Sequence, residues 1–331
     1  MLEKTVLVNR PIHIVALERL QEEVSVLTPY TASSNQVLEL LPQVHGVILG
    51  GGLTLGAAEM DRAENLEVIG RHGVGLDNVD VAAASERGIP VVFTPYGPTE
   101  STAEHALLLI LATARRLSQL DRAVRSGSFH IQDQPQAMGH EVEGKTLGVV
   151  GFGRIGQRLA EMCRAALRMS VYVFDPYLDP ERVSEWGATY LEDLIELASI
   201  VDILSIHTPL TSETYHLINR DVLRSMKPGA ILINAARGAV VDEAALIEAL
   251  QEGHLDGAGL DVYDPEPPVP DNPLFRLDQV VLTPHVGSFT DEGRRRMGLT
   301  VVDDTLRVLC GEIPQYLANP KVWTDRRSVQ A

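Results

Sequence analysis

The stretch KTLGVVGFGRIGQRLAEMCRAALRMSVYVFDP, residues 145–176, constrains the fold more than any other part of the sequence. An apolar strand runs into Gly151, Gly153 and Gly156 at the spacing GxGxxG, a helical pattern follows, and a second apolar strand ends at Asp175. In such a unit the first glycine permits a tight turn, the second lets a pyrophosphate approach the backbone, and the third lets helix and strand pack closely. The N–H groups that open the helix attract phosphate, and an acid about 20 positions further on accepts hydrogen bonds from ribose. The motif therefore predicts a dinucleotide-binding βαβ unit.

A glycine-rich turn can also join a strand to a helix without binding any ligand, so the GxGxxG spacing alone is weak evidence. Here the strand, turn, helix, second strand and acid follow one another in order, which favours a ligand site. The negative charge of Asp175 would repel the 2′-phosphate of NADP, and no arginine stands beside it. We therefore predict NAD as the cofactor.

Short runs rich in Val, Ile and Leu alternate with helical patterns along most of the chain. The runs predicted as strands are TVLVN, VSVLT, GVILG, LEVIG, PVVFT, LGVVG, SVYVF, VDILSI, AILINA, GAGLDV and QVVLTP. They are continuously apolar rather than alternating, which is typical of parallel sheets buried on both faces. The alternation of strands and helices predicts an α/β fold of two Rossmann-like, doubly wound domains.

The series of strands is interrupted by residues 99–126, TESTAEHALLLILATARRLSQLDRAVRS. Its apolar spacing predicts one long helix, and Thr99 or Ser101 is the expected N-cap because hydroxyl side chains accept hydrogen bonds from the first free N–H groups. A polar, irregular segment follows, and a new series of strands and helices begins at Thr146.

This interruption divides the chain into two predicted domains. Residues 1–98 and 287–331 form a discontinuous substrate-binding domain, and residues 99–286 form the NAD-binding domain. A last helix over about 291–311 is expected to return to the first domain.

Composition excludes several classes of partner. The 331 residues carry 45 acidic and 28 basic side chains, a net charge of −17, which would repel nucleic acid and anionic membranes. Two isolated cysteines suit a reducing compartment better than a disulfide framework. The N-terminus has no signal-peptide pattern, and the apolar run ALLLILATA is shorter than the ~20 residues that span a bilayer. We expect a soluble cytoplasmic protein without a metal site.

Three polar residues follow predicted strands of the second domain. Arg237 comes after AILINAA, Glu266 after GAGLDVY and His285 after QVVLTP. Because ligands of open α/β sheets bind beyond the carboxyl ends of the strands, all three could face one crevice. Histidine can donate a proton to a developing alkoxide, a carboxylate favours its protonated form, and arginine binds a substrate carboxylate with paired hydrogen bonds. Each residue alone could belong to a surface ion pair, but together they indicate an NAD-dependent 2-hydroxy acid dehydrogenase.

The sequence also resembles a known family over residues 44 to about 320. The motifs that carry the resemblance are GRHGVGLDNVD, STAEHAL, GKTLGVVGFGRIG, VFDPY, HTPLTSET, LINAARGAVVDEAAL, GAGLDVYDPEPP and LTPHVGS. The family is that of the NAD-dependent D-2-hydroxyacid dehydrogenases, in particular the branch of D-3-phosphoglycerate dehydrogenase and the hydroxypyruvate and glyoxylate reductases.

The resemblance implies a role for each residue at a matching position. Arg237 would bind the substrate carboxylate and carbonyl, Glu266 would pair with the imidazole, and His285 would be the general acid and base. The implied cofactor-binding residues are Val74, Thr102, Gly151, Gly153, Arg154, Ile155, Gly156, Asp175, Pro176, His207, Thr208, Pro209, Thr214, Ala235, Ala236, Arg237, Asp261, His285 and Gly287. The implied substrate-binding residues are Arg71, His72, Gly73, Val74, Gly75, Arg237 and His285. The resemblance also implies a flavodoxin-like substrate domain and a homodimer formed through the NAD-binding domain.

Two departures from the family pattern bear on the substrate. Gly50 stands where phosphoglycerate dehydrogenases carry an arginine, and His72 replaces a small residue beside the substrate loop. Without that arginine, hydroxypyruvate or glyoxylate is favoured over a phosphorylated substrate. D-3-phosphoglycerate dehydrogenase stays an alternative, and so does a non-catalytic NAD-sensing protein. Formate dehydrogenase is disfavoured because it pairs its histidine with glutamine, whereas this chain has Glu266.

Overall fold

The computed structural model describes residues 2–327, which divide into two compact units. The first unit runs to Thr99 and resumes at Phe289, and the second comprises Glu100–Ser288. The breaks predicted after residues 98 and 286 lie one and two residues from these positions. Residue 1 and residues 328–331, assigned to the substrate domain by sequence, lie outside the described residues.

The first unit is built on a parallel sheet of five strands in the order β2-β1-β3-β4-β5. This order is that of flavodoxin-like folds, which confirms the predicted class. The strands are β1 (Thr5–Val8), β2 (Ser25–Leu27), β3 (Gly46–Leu49), β4 (Val68–Arg71) and β5 (Val91–Phe93). The helices of this N-terminal part are α1 (Ile14–Gln21), α2 (Ser34–Leu38), α3 (Ala57–Arg62) and α4 (Val81–Glu86).

The second unit is built on a parallel sheet of seven strands in the order β12-β11-β10-β9-β6-β7-β8. Its first six strands in chain order follow the 3-2-1-4-5-6 arrangement of Rossmann folds. The strands are β6 (Thr146–Val150), β7 (Ser170–Phe174), β8 (Thr189–Tyr190), β9 (Ile203–Ile206), β10 (Ala230–Asn234), β11 (Leu255–Leu260) and β12 (Val280–Leu282). The helices are α5 (Thr99–Ala114), α6 (Leu117–Arg125), α7 (Arg154–Leu167), α8 (Pro180–Glu185), α9 (Leu194–Ile200), α10 (Arg220–Ser225) and α11 (Glu243–Gln251).

The last helix, α12 (Asp291–Leu309), belongs to the first unit, as predicted. Its apolar residues Val301 and Val302 pack with Val6 and Val8 of β1. Short 3-10 turns occur at Leu41–Gln43, Phe129–Asp133, Pro135–Ala137, Gly238–Val240, Pro273–Arg276 and Pro320–Trp323. None of the helices within residues 2–327 combines the length and the apolar character needed to cross a membrane.

Each sheet is covered by apolar side chains on both faces, as the continuous strand runs predicted. Within β10, for example, Leu232 packs into one buried cluster and Ile233 into another. Because successive side chains of a strand point to opposite faces, these clusters lie on opposite sides of the sheet. The polar residues that follow the strands are thereby fixed at the sheet edge.

The predicted secondary structure differs from the observed one at three points. The single helix predicted over 99–126 is two helices, because Arg116 adopts a left-handed conformation with φ of 55°. Its guanidinium donates to the carbonyl of Asp256 at 2.7 Å, a partner that the local apolar pattern does not reveal. Thr99 and Ser101 both lie inside α5 rather than before it. The two-residue edge strand β8 was also missed, since it has no apolar run.

Candidate active site

The glycine-rich turn joins β6 to α7 in the conformation that its sequence predicted. Gly151 has φ of +89°, and a β-carbon there would lie 2.9 Å from the backbone of Thr208. A β-carbon on Gly156 would lie 2.5 Å from the carbonyl oxygen of Gly151, so close packing excludes side chains at both positions. Around Gly153, the N-cap of α7, nothing lies within 4 Å of the β-carbon position. The backbone is thus open where a pyrophosphate would approach the first turn of α7, at Arg154 and Ile155.

Asp175 follows β7 and is tied to this turn. One carboxylate oxygen accepts a hydrogen bond from Phe152 N at 2.8 Å, and the other accepts one from Tyr177 N at 3.0 Å. Pro176 lies in the chain between Asp175 and Tyr177, which this second hydrogen bond joins. The Tyr177 hydroxyl donates to Glu213, which connects the segment after β7 with the segment after β9. The acid of the predicted motif is therefore held beside the glycine-rich turn.

The segment after β9 contains the next group of predicted cofactor residues. His207 lies 2.9 Å from the Ser205 hydroxyl, and burial lowers the pKa of His207 to about 4, so its ring is neutral at pH 7. The Thr214 hydroxyl donates to Pro209 O at 2.6 Å and is used within its own loop. The buried hydroxyl oxygen of Thr208, beside Gly151, has no hydrogen-bond partner among the described residues. A buried polar atom of this kind needs a partner, and a bound dinucleotide would offer one.

His285 and Glu266 form the hydrogen-bonded pair that the sequence predicted. His285 Nδ1 lies 2.6 Å from Glu266 Oε1, and their side chains are 45% and 40% exposed. With Nδ1 engaged, the Nε2 atom of the imidazole is the one that can exchange a proton with a substrate. The geometry therefore suits a general acid and base whose orientation is fixed by a carboxylate.

Arg237 lies in the turn after β10, which Asn234 organises. The Asn234 side chain donates to Arg237 O at 2.9 Å and accepts from Ala236 N at 3.0 Å, enclosing Ala235. A β-carbon on Gly238 would collide with the carbonyl of Tyr263, so the turn packs against the segment that leads to Glu266. The Arg237 turn and the Glu266 loop are thus neighbours at the carboxyl end of the sheet. The pattern of strands and helices did not predict the role of Asn234 in organising this turn. A polar residue at the end of an apolar strand, as Asn234 is in β10, is the sequence signal that could have indicated it.

Asp261 anchors the loop that carries His285. Asp261 is buried, with 1% of the residue exposed. Its carboxylate accepts hydrogen bonds from the N–H groups of Val286 and Gly287, each at 2.8 Å. A β-carbon on Gly287 would lie 3.1 Å from this carboxylate and 3.4 Å from Thr102, so a side chain there would require the carboxylate to shift. The second unit therefore brings together the predicted residues of α5 and of the segments after β6, β7, β9, β10, β11 and β12.

The remaining predicted residues lie in the first unit, at the last residue of β4 and in the loop that follows it. Arg71 donates from Nε to Gly75 O at 2.8 Å and from Nη1 to His72 O at 2.8 Å. A third bond from Nη1 reaches Leu49 O at 3.2 Å. Gly73 has φ of +153°, and a β-carbon there would lie 3.1 Å from the Arg71 guanidinium. Arg71 therefore supports the loop from within, a role that its sequence context did not reveal.

His72 is a neutral residue beside this loop. Burial and the nearby guanidinium groups of Arg294 and Arg71 lower the pKa of His72 to about 4. Its Nε2 atom is buried and has no hydrogen-bond partner within residues 2–327.

The triple glycine at residues 50–52 accommodates an arginine. A β-carbon on Gly50 would lie 2.9 Å from the β-carbon of Arg10, and one on Gly52 would lie 2.6 Å from Arg10 Nη2. Arg10 Nε donates to Gly51 O at 3.3 Å. The side chain of Arg10, which follows β1, therefore packs against Gly50 and Gly52, where the family pattern has a different arginine. Sequence reasoning missed this residue because it lies 41 positions away from its partner.

Comparisons with known proteins place the chain in a family. Residues 107–287 match the model of the D-isomer specific 2-hydroxyacid dehydrogenase NAD binding domain. The chain is 41% identical over 309 residues to D-3-phosphoglycerate dehydrogenase of Archaeoglobus fulgidus, covering 92% of this chain and 57% of that protein. It is 45% identical over 270 residues to glyoxylate reductase of Thermococcus litoralis, covering 80% and 81% of the two chains. The crystal structure of the TT0316 protein from Thermus thermophilus superposes with a TM-score of 0.86 at 42% identity, covering 95% and 99%.

The fold and the matched region define an NAD-binding protein of the Rossmann class, and the prediction of NAD is confirmed at the level of the family. The chain belongs to the D-isomer specific 2-hydroxyacid dehydrogenases. It spans little more than half the length of the phosphoglycerate dehydrogenase of Archaeoglobus fulgidus that it matches. No cluster of three or more metal-ligating side chains occurs in the part of the chain that the structure describes.

Proposed function

We propose that this protein is an NAD-dependent dehydrogenase that interconverts a small 2-oxo acid and a D-2-hydroxy acid. The observation that carries the proposal is the bond between His285 Nδ1 and Glu266 Oε1, 2.6 Å long, in the unit that contains the glycine-rich turn. A histidine fixed by a carboxylate near a dinucleotide site is what reversible proton transfer to a carbonyl oxygen requires.

The proposed residues divide the work of the reaction. When bound, NADH supplies the hydride that reduces the C2 carbonyl of the substrate. His285 gives the proton from Nε2 to the oxygen, and Glu266 stabilises the protonated imidazole beforehand. Arg237 holds the substrate carboxylate and the carbonyl oxygen by charged hydrogen bonds. In the direction of oxidation His285 takes the proton back.

The cofactor is held by backbone and polar groups at the carboxyl end of the second sheet. The open backbone at Gly153 and the first turn of α7 suit the pyrophosphate, and Asp175 suits the adenosine ribose. The unpaired Thr208 hydroxyl and the neutral His207 flank this site. Asp175 carries the preference for NAD over NADP.

The loop after β4 contributes to substrate binding through its backbone. Arg71 occupies the carbonyls of this loop, whereas the N–H groups of Val74 and Gly75 donate to no backbone carbonyl within residues 2–327. Free N–H groups beside a guanidinium suit a carboxylate. Within the predicted segment 73–75 we therefore assign the substrate carboxylate to the N–H groups of Val74 and Gly75, because Gly73 N donates to Arg71 O at 3.0 Å, and we assign a supporting role to Arg71.

The choice of substrate depends on Arg10. The sequence favoured hydroxypyruvate or glyoxylate because Gly50 replaces an arginine, but the Arg10 side chain lies across Gly50 and Gly52. A guanidinium at this loop favours a second candidate, a substrate with a phosphate at its distal end, as in 3-phosphohydroxypyruvate. The relatives named phosphoglycerate dehydrogenase and glyoxylate reductase represent the two candidates.

Two further features complete the proposal. Leu108 and Leu117, on α5 and α6, are 51% and 53% exposed, which suits a homodimer formed through the NAD-binding unit. The two cysteines are unpaired thiols, which suits the reducing cytoplasm.

The oxidation of NADH against a panel of 2-oxo acids tests the function. The panel contains hydroxypyruvate, glyoxylate, pyruvate, 2-oxoglutarate and 3-phosphohydroxypyruvate, and NADH binding is measured in parallel by fluorescence. We expect turnover with hydroxypyruvate, its phosphorylated form or glyoxylate. Tight binding of NADH without turnover of any of the five would contradict the dehydrogenase and favour an NAD-sensing protein.

A further inference from the structure

Three hydrogen-bonded side chains support the loop that carries His285. His105, on α5, lies with its Nε2 atom 3.0 Å from the Thr283 hydroxyl, which donates to Asp261 Oδ1 at 2.6 Å. A carboxylate can only accept, so the hydroxyl hydrogen points to Asp261 and His105 donates to the hydroxyl oxygen. His105 Nε2 also lies 3.4 Å from Asp261 Oδ1. The three side chains thus form a directed series of hydrogen bonds that ends at a buried carboxylate.

Asp261 transmits this support to the backbone of His285. Its carboxylate accepts from the N–H groups of Val286 and Gly287, and its carbonyl accepts from His285 N at 2.8 Å. His285 has φ of 54°, a region that residues other than glycine rarely adopt. Such a conformation persists only where surrounding contacts hold it. The bonds to Asp261 on both sides of the residue are those contacts.

We propose that His105 is a positioning residue which, through Thr283 and Asp261, holds His285 in the conformation required for proton transfer and preserves that conformation at low pH. The inference rests on the proposed function, because it concerns the proton donor of that reaction. His105 itself touches neither His285 nor Glu266 in any hydrogen bond of the described residues.

The ionisation of Asp261 gives the proposal a pH dependence. Burial opposes the charge, yet hydrogen bonds from His105, Thr283 and Val286 N hold the pKa of this carboxyl below its ordinary value. The loop is held while Asp261 is ionised, and it is released as the pH falls through that pKa. Removing His105 removes an interaction that lowers the pKa of Asp261, so release moves to a higher pH.

Tyr263 is another titratable group that faces Asp261, and it does not titrate in the same range. Burial and the charges of Asp261, Glu266 and Glu243 raise the pKa of Tyr263 to about 12. The protonated hydroxyl donates to Thr283 O at 2.9 Å at every pH used in an assay. Tyr263 therefore contributes nothing to a shift of the profile in the acid range.

The test compares His105→Leu and His105→Gln with the wild type, and with His130→Ala as control. Leucine cannot donate to Thr283, whereas the glutamine amide can, and His130 is an exposed histidine of the same unit, with 92% of its side chain accessible. We expect His105→Leu to lower kcat about 10- to 100-fold, since small misplacement of a reacting group has effects of this size. Its KM and its Kd for NADH should change little, and the acid limb of its kcat profile should move to higher pH. His105→Gln should recover most of kcat.

A purely structural role predicts a different result. His105→Leu would then lower the melting temperature while its kcat and the position of its acid limb matched the wild type, and this outcome would overturn the proposal. Recovery by His105→Gln that restored stability but not kcat would overturn it as well.

Hydrogen exchange separates this inference from the proposed function. The amides of Val286 and Gly287, followed in a peptide covering 283–288, should be protected in the wild type and in His130→Ala, and exposed in His105→Leu. If the wild type turned over none of the 2-oxo acids, the proposed function would fail, and the exchange would still decide whether His105 holds the loop. Equal protection in the wild type and His105→Leu would contradict the inference.

Discussion

The loop that carries His285 and the loop that follows β4 are anchored by groups of opposite charge. In the second unit the buried carboxylate of Asp261 accepts hydrogen bonds from the N–H groups of its loop. In the first unit the guanidinium of Arg71 donates hydrogen bonds to the carbonyls of its loop. Both loops follow a strand of a parallel sheet, so the same architecture supports two kinds of anchor.

The difference determines which groups each loop presents to a ligand. The backbone N–H groups of Val286 and Gly287 donate to Asp261, so the side chain of His285 is the group that this loop presents to a ligand. The carbonyls of His72 and Gly75 accept from Arg71, and the N–H groups of Val74 and Gly75 donate to no backbone carbonyl within residues 2–327, so they can bind an anion. A loop built on an acid therefore suits proton transfer, and a loop built on a cation suits the binding of a carboxylate.

The comparison predicts that the largest loss of kcat comes from a change in the second unit, Glu266→Gln. The amide retains a hydrogen bond to His285 but loses the charge that stabilises the protonated imidazole. We expect kcat to fall about 100-fold, with Kd for NADH unchanged, because general acid catalysis contributes factors of this order. Steady-state kinetics and fluorescence titration provide the two measurements. Glu252→Gln, an exposed acid paired with Arg224, is the control, and equal kcat values for both variants would show that the carboxylate is not needed.

A smaller effect, in the first unit, would sharpen the comparison. Arg10→Ala should raise KM for 3-phosphohydroxypyruvate about 10-fold, the size expected for the loss of one exposed charged hydrogen bond. KM for hydroxypyruvate should stay near the wild-type value. Arg62→Ala, an exposed arginine of α3, should change neither. If Arg10→Ala raised both KM values equally or left both unchanged, the guanidinium would have no role in recognising the distal group.

Much of the fold could be predicted from the sequence because its signals are local. The apolar runs indicated β6 and β10, the glycine spacing indicated the turn before α7, and the ends of strands indicated where His285 and Glu266 would meet. These features depend on periodicity and on the rule that carboxyl ends of parallel strands share an edge.

The features that could not be predicted depend on pairs of residues far apart in the chain. The break between α5 and α6 depends on Arg116 and Asp256, which are 140 positions apart. The support of the His285 loop depends on His105 and Thr283, which are 178 positions apart. Each of these residues is ordinary in its own segment, and only the tertiary structure shows what it contacts.

The central claim is that His285 is the proton donor of a 2-hydroxy acid dehydrogenase, and His285→Ala tests it most directly. The variant is assayed for NADH oxidation with the best 2-oxo acid of the panel, and its Kd for NADH is measured by fluorescence titration. We predict that kcat falls by at least about 100-fold, the lower range for loss of a general acid, while Kd for NADH stays at the wild-type value. A variant that binds NADH normally and retains the wild-type kcat would contradict the account.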